Sequence, residues 1–124
     1  MYYSSEPGVD YIWFYFIANG VDLLKERRIT SGIYGEIPRW LQNLMWFLWE
    51  SMDVPEREWF QVFCLSERDR MQKVDHSQNN PPYHKVIVVH AEGETICEKV
   101  IILESHSSLT MMLHSEYQGG FEIG

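Results

Sequence analysis

The clearest helical period in this chain begins at Pro38. Apolar residues then recur at the spacing of one helix face, at Leu41, Leu44, Met45, Leu48 and Met52. Proline suits the first turn of a helix, because its missing N–H has no intrahelical partner there. Val54-Pro55 ends the run, since the residue before a proline is pushed out of the helical region. The pattern predicts an amphipathic helix over Pro38–Met52.

This helix carries more aromatic side chains than its apolar stripe needs. Trp40 and Phe47 widen the stripe on one side, and Trp49 widens it on the other. Trp46 falls on the polar side, where an indole gains little unless another molecule covers it. We therefore expect Trp46 to contact a protein partner. The interface candidates are Trp46, Trp49, Arg39, Asn43 and Glu50.

Residues with a period of two follow the helix and predict strands. Trp59–Leu65 is apolar on both faces, which is typical of a central strand. The charged segment Ser66–Arg70 predicts a hairpin connection to Met71–Ser77. Gln78–Pro82 predicts a loop, because its two prolines donate no backbone hydrogen bonds.

Other apolar runs predict further strands. Lys85–His90 and Glu98–Leu103 are separated by a short turn-like segment and predict a second hairpin. Arg28–Gly35 predicts a strand that bends or ends near Gly32. Val9–Ala18 is a dense aromatic run that favours a strand, with a helix as the alternative that its period leaves open. The fold class is therefore α+β, a mainly antiparallel sheet of four to six strands with one long amphipathic helix on a face.

Two segments remain open between helix and strand. Val21–Glu26 fits a short helical turn or a second strand equally well. Leu109–Tyr117 has helical spacing, with a strand through Thr110–His114 as the competing interpretation.

The composition fits one folded domain. The chain has 124 residues, of which 45% are hydrophobic and 15% aromatic. We divide it into an aromatic extension (1–25), a core (26–117) and a flexible tail (118–124). The apolar run Tyr11–Ala18 is too short to span a bilayer. Cys64 and Cys97 lack the close spacing of a redox or zinc motif, so we expect reduced thiols and a cytoplasmic protein without a membrane anchor.

The charge favours a basic partner. Eighteen acidic and ten basic residues give a formal net charge of −8. Binding to a phosphate backbone depends on Lys and Arg, so we expect no direct contact with nucleic acid. A negative surface suits a basic, nucleic-acid-binding protein instead. A homodimer through the aromatic surplus is an open alternative.

Catalytic and metal patterns are weak. The five histidines lack the HxH or HxxxH spacing that places two metal ligands on one face. Three His-Ser pairs occur, the first two near acidic residues, but no GxSxG elbow accompanies them. Cys64 lies within an apolar run, which predicts a packed, unreactive thiol. We therefore assign no catalytic, cofactor or metal residues, and retain a small hydrolase that uses His76, His106 and a carboxylate as the alternative function.

Several short motifs between Glu26 and Tyr117 resemble one family. They are Arg28–Ile33 (RITSGI), Glu36–Pro38, Leu41-Gln42, Met45-Trp46, Gln61–Phe63, His76–Gln78 with Pro82-Tyr83, and Glu116-Tyr117. This order resembles the family catalogued as domain of unknown function 960, whose members come largely from Firmicutes and mobile elements. The resemblance implies no activity, and a charged residue is expected where this chain has Cys64. Together with the charge and the aromatic surplus, the resemblance suggests a non-enzymatic binding protein of a mobile element, for example an inhibitor of a CRISPR effector.

Overall fold

The computed structural model describes residues 25–121, with side chains as far as Tyr117. This part forms six strands, β1 (Glu26–Ile29), β2 (Phe60–Arg68), β3 (Met71–Gln78), β4 (Tyr83–Val89), β5 (Glu98–Glu104) and β6 (Ser108–Leu113). It also forms three helices, α1 (Ser31–Glu36), α2 (Arg39–Glu50) and α3 (His114–Phe121). The predictions for Val9–Ala18 and for the end of the tail lie outside the described residues.

The strands form one mixed sheet in the order β1-β6-β5-β2-β3-β4. β1 runs parallel to β6, and the other neighbouring pairs are antiparallel. The predicted α+β class is confirmed. The sheet is mixed, however, because of the parallel β1–β6 pair, and within residues 25–121 three helices accompany it where one long helix was predicted. The predicted long helix is the 12-residue α2, which ends at Glu50, and two further short helices accompany it.

The first predicted hairpin is confirmed and the second is wrong. β2 and β3 pair through a turn at Asp69 and Arg70, whose φ angles are +52° and +67°. β4 and β5 do not pair with each other, because β4 adds to β3 while β5 takes the other side of β2. The burial of both faces of β5 explains its place inside the sheet, since Ile101 and Ile102 are both fully buried.

The segment predicted as a strand over Arg28–Gly35 is a strand only to Ile29. Thr30 then caps α1, where its Oγ1 accepts a hydrogen bond from the backbone N–H of Ile33 (3.3 Å). Both interpretations of Leu109–Tyr117 apply in part. The strand β6 ends at Leu113 and α3 follows at once.

The core lies between α2 and one face of the sheet. Residues of α2 share this core with side chains from β1, β2, β3, β5 and β6, among them Ile29, Phe63, Val74, Val100 and Met111. α3 reaches the other face, where Tyr117 meets Phe60 edge to face with ring centroids 5.1 Å apart. Within residues 25–121, no helix has the length and apolar character needed to cross a membrane.

Candidate functional site

Trp46, the central interface candidate, is buried. Its exposed fraction is 0%, and the Arg27 guanidinium lies 4.8 Å from its ring centroid. Trp49 is also buried, at 4%, with the Arg57 guanidinium 4.2 Å from its ring. Both indoles are therefore core residues with arginines stacked on them, so neither is the exposed aromatic that the interface prediction requires.

Glu50 is buried as well. Its Oε2 accepts a hydrogen bond from Arg27 Nη2 at 3.0 Å, and the two side chains are 4% and 8% exposed. Burial raises the pKa of Glu50 to about 7, although the charge of Arg27 opposes this shift. Arg39 and Asn43 are half-buried. The structure does not bring the five predicted residues together on one surface.

The error has a simple geometric origin. The buried side of α2 is rotated by about 60° from the predicted stripe, at 100° per residue. Gln42 lies on the buried side, where its Nε2 donates to the carbonyl oxygen of Ile37 at 2.8 Å. Phe47, which the periodicity had placed at the edge of the core, lies on the outer side instead.

The outer side of α2 carries an apolar surface that we call the α2 ridge, formed by Trp40, Leu44 and Phe47. Trp40 and Leu44 are half-buried against the core, and Phe47 is 56% exposed. Their spacing of four and then three residues places them in one row along the helix. The sequence argument for an exposed aromatic on this helix thus points to Phe47.

A buried amide network occupies the sheet end where β2 begins and β3 ends. Gln78 is 6% exposed, and its Oε1 accepts from Gln61 Nε2 (2.6 Å) and from the Glu58 N–H (2.8 Å). Its Nε2 donates to the carbonyl oxygens of Glu56 (3.1 Å) and Pro81 (2.8 Å). These four bonds join the segment before β2 to the turn between β3 and β4.

A second exposed surface rests on this network, and we call it the Trp59 platform. It consists of Asp53, Glu56, Glu58, Trp59 and Asn79. Trp59 is 57% exposed, and Asp53 and Glu56 are exposed too. Glu58 Oε1 accepts from the N–H of Asn79 at 2.9 Å, which joins the segment before β2 to the β3–β4 turn. A glutamine on an otherwise apolar strand face, as Gln61 is, was the sequence signal for the network beneath.

The residues of the alternative enzyme do not form a recognisable site. His76 is fully buried, bonded to Gln61 Oε1 at 2.9 Å and stacked on Phe63 with centroids 4.1 Å apart. Burial lowers the pKa of His76 to about 4, and the charges of Lys85 and Arg57 act in the same direction. His106 lies exposed in the turn between β5 and β6. His76 is thus a packed structural histidine in the part of the chain that the structure describes.

One histidine does pair with a carboxylate. His84 Nε2 lies 2.7 Å from Asp75 Oδ1 on the neighbouring strands β4 and β3, and Ser77 is opposite His84 in the strand register. This site lacks the enclosure that strengthens the electrostatics of an active site. Among the described residues, no three His, Cys, Asp or Glu side chains converge as metal ligands. Cys64 and Cys97 are exposed free thiols, so the expectation of a packed Cys64 is wrong.

With this geometry established, comparisons with known proteins identify the family. The model of a family described as "Staphylococcal protein of unknown function (DUF960)" matches residues 26–116. The chain belongs to this family. No curated protein matches the chain. A solved structure described as a protein of unknown function from Enterococcus faecalis is similar, with a TM-score of 0.67 and 18% identity over 74% of this chain and 90% of that one. At this identity, the likeness shows the fold alone.

The DUF960 motifs in this chain have structural roles. Thr30 and Gly32 both bond to Glu116, Gln42 holds the α1–α2 connection, and the His76–Gln78 motif supplies the amide network. Trp46 belongs to the core. The residues that carry the family resemblance therefore explain why the chain folds, while the exposed Phe47 and Trp59 lie outside those motifs.

Proposed function

We propose that this protein is a small, acidic, non-enzymatic protein-binding module that uses the α2 ridge. The exposure of Phe47 between Trp40 and Leu44 carries the proposal. Aromatic side chains are enriched at the energetic centres of protein interfaces. Covering the open half of Phe47 would contribute roughly 1 kcal/mol of binding free energy.

The ridge also has a suitable shape and support. It lies on a regular helix whose opposite side is fixed in the core by Leu41, Met45 and Trp46. A rigid helix presents its contact residues without an ordering cost on binding. Asn43, between Trp40 and Phe47 in the sequence, is half-buried and adds a polar group beside the apolar row.

More specifically, we propose that the partner is a basic, nucleic-acid-handling host protein and that binding inhibits this partner. The net charge of −8 supports this, because a negative protein is attracted to a positive nucleic-acid-binding groove. An anti-CRISPR protein of a phage or another mobile element is the example we propose. Adding the purified protein to a CRISPR effector cleavage assay tests it, and unchanged cleavage removes this more specific proposal.

Affinity capture with wild-type protein and Phe47→Ala tests the general proposal. We expect one partner from a staphylococcal lysate to be lost with Phe47→Ala and retained with Tyr34→Ala. Tyr34 is the matched control, since it is an exposed aromatic (68%) on the neighbouring helix α1. Equal capture by wild type and Phe47→Ala would contradict a role for the ridge.

Light scattering after size-exclusion chromatography separates a host partner from a second copy of the chain. A mass twice that of the 14.8 kDa chain, returning to the monomer with Phe47→Ala, would assign the ridge to a homodimer. A monomeric wild-type protein leaves the ridge open to a different protein, as the proposal requires.

A further inference from the structure

We infer that the Trp59 platform is a second docking site, separate from the α2 ridge, and that it binds an arginine-bearing segment of a basic protein. The inference names both a new surface and the chemistry of its occupant. It stands on the exposed indole of Trp59, on the carboxylates that precede it in the sequence and on the buried network that bonds the Glu56 and Glu58 backbone.

The platform is preorganised by hydrogen bonds. Gln78 uses both donors and both acceptor positions of its amide, and each bond reaches a different group. Gln61 extends the network, since its Nε2 also donates to the Glu58 carbonyl oxygen (3.0 Å) and its Oε1 meets His76. The fully bonded amide of Gln78 holds the loops attached to it in one conformation. A partner therefore meets a fixed surface and spends little binding free energy on ordering it.

The charges of the platform are one-sided. The segment from Asp53 to Trp59 contains three carboxylates and one cation, Arg57. Arg57 points inward, because its Nε and Nη2 donate to the carbonyl oxygens of Trp49 and Glu50 at 3.1 Å each, and its guanidinium stacks on Trp49. Asp53 and Glu56 are the exposed charges of this segment, and they attract a cationic segment of a partner.

The carboxylates also reach the neighbouring loop. Glu58 Oε1 accepts from the N–H of Asn79 in the β3–β4 turn at 2.9 Å. Burial raises the pKa of the Tyr83 phenol at the start of β4, and the charge of Asp53 adds to this increase. The acidic surface thus extends from the segment before β2 to the β3–β4 turn. An extended segment with more than one basic residue matches such a surface better than a single cation does.

The exposed indole distinguishes arginine from lysine. A guanidinium is planar and stacks on an aromatic face while it pairs with a carboxylate, whereas an ammonium group acts as a hydrated point charge. The protein itself stacks arginines on Trp46 and Trp49. Trp59 offers a third indole, open to solvent and adjacent in sequence to Glu58.

Fluorescence polarisation with labelled nine-residue peptides tests the inference. We expect a peptide with four arginines to bind the full chain at low salt, a lysine peptide of the same charge to bind about threefold to tenfold more weakly, and an aspartate peptide not to bind. Trp59→Ala should weaken arginine-peptide binding about tenfold. The double variant Asp53→Asn, Glu56→Gln should do so as well.

A charge-matched control separates a site from general attraction. Glu92→Gln with Glu94→Gln removes the same number of charges from the exposed β4–β5 connection, at the opposite end of the sheet. We expect this control to change binding less than threefold. Equal weakening by both double variants, or equal binding of arginine and lysine peptides, would overturn the inference, as would no binding of the arginine peptide. Phe47→Ala should leave peptide binding unchanged, so failure at the platform and failure at the ridge are distinguishable.

Discussion

Glu116 and Gly32 are in contact although 84 residues separate them in the sequence. Glu116 Oε2 accepts a hydrogen bond from the Gly32 N–H at 3.0 Å, and a Cβ added to Gly32 would lie 2.5 Å from that oxygen. The same carboxylate accepts from Thr30 Oγ1 (2.6 Å) and from the N–H of Leu113 (2.8 Å). This contact joins the start of α1 to the start of α3.

We expect Gly32→Ala to displace the Glu116 carboxylate and to lower the free energy of unfolding by about 2 kcal/mol, because three hydrogen bonds weaken together. Gly35→Ala is the control, since a Cβ there meets no described atom within 4 Å. Chemical denaturation measures both. The double variant Gly32→Ala, Glu116→Ala should be little less stable than Glu116→Ala alone, and full additivity would contradict the contact.

Trp46 and Phe47 are neighbours in sequence with opposite environments. We expect Trp46→Ala to lower the free energy of unfolding by about 3 to 5 kcal/mol, because it empties a large core volume. Phe47→Ala should change it by less than about 0.5 kcal/mol. Urea unfolding of both variants tests this difference. Comparable losses of stability would show that Phe47 is a core residue and would remove the ridge.

The buried Glu50 carboxyl makes stability depend on pH. Its pKa is about 7 in the folded protein and 4.5 in the unfolded chain, so the folded state binds the proton more tightly. The resulting stabilisation is complete below pH 4.5 and is lost as the pH rises through 7, by up to about 3 kcal/mol and by less where solvent screens the carboxyl. We expect the difference in unfolding free energy between Glu50→Gln and wild type to shift by this amount in favour of the variant. Parallel curves from pH 4.5 to 8 would contradict the burial of a titrating carboxyl.

His76 titrates in the opposite sense. Its pKa is lowered to about 4 in the folded protein, against 6.5 in the unfolded chain. Its contribution to stability is present above pH 6.5 and is lost as the pH falls through 4, by up to about 3 kcal/mol. His76→Phe should be about 1 to 2 kcal/mol less stable than wild type at pH 7, because Gln61 loses a partner. By pH 4.5 wild type loses about 2 kcal/mol that His76→Phe does not, so this deficit should vanish and reverse, and a constant deficit would mean that His76 carries no such shift.

Local sequence patterns predicted many of the helices and strands. The segment after Pro38 formed a helix because its start, period and end agreed, and β2 and β3 formed a hairpin because both are strand-like and a short polar turn joins them. The exceptions have tertiary causes. Ser31–Gly35 was predicted as part of a strand but lies in α1. The first N–H groups of this helix donate hydrogen bonds to the side chains of Thr30 and Glu116. The sequences of β4 and β5 predict a hairpin, but β4 pairs with β3 and β5 pairs with β2.

The candidate surfaces show the same division. The sequence by itself determined the acidic charge and the high aromatic content of this chain, because composition needs no tertiary contact, and it predicted an exposed aromatic on the helix but placed it at Trp46. Only the tertiary structure decided that Trp46 lies inside under Arg27 while Phe47 and Trp59 face outward. The buried side of α2 lies about 60° from the predicted stripe. This difference places Trp46 inside and Phe47 outside while most of the stripe stays buried, and the sheet packed against α2 decides which side is buried. The pairing of Gln61 with Gln78 likewise depends on the register of β2 and β3, which no single segment contains.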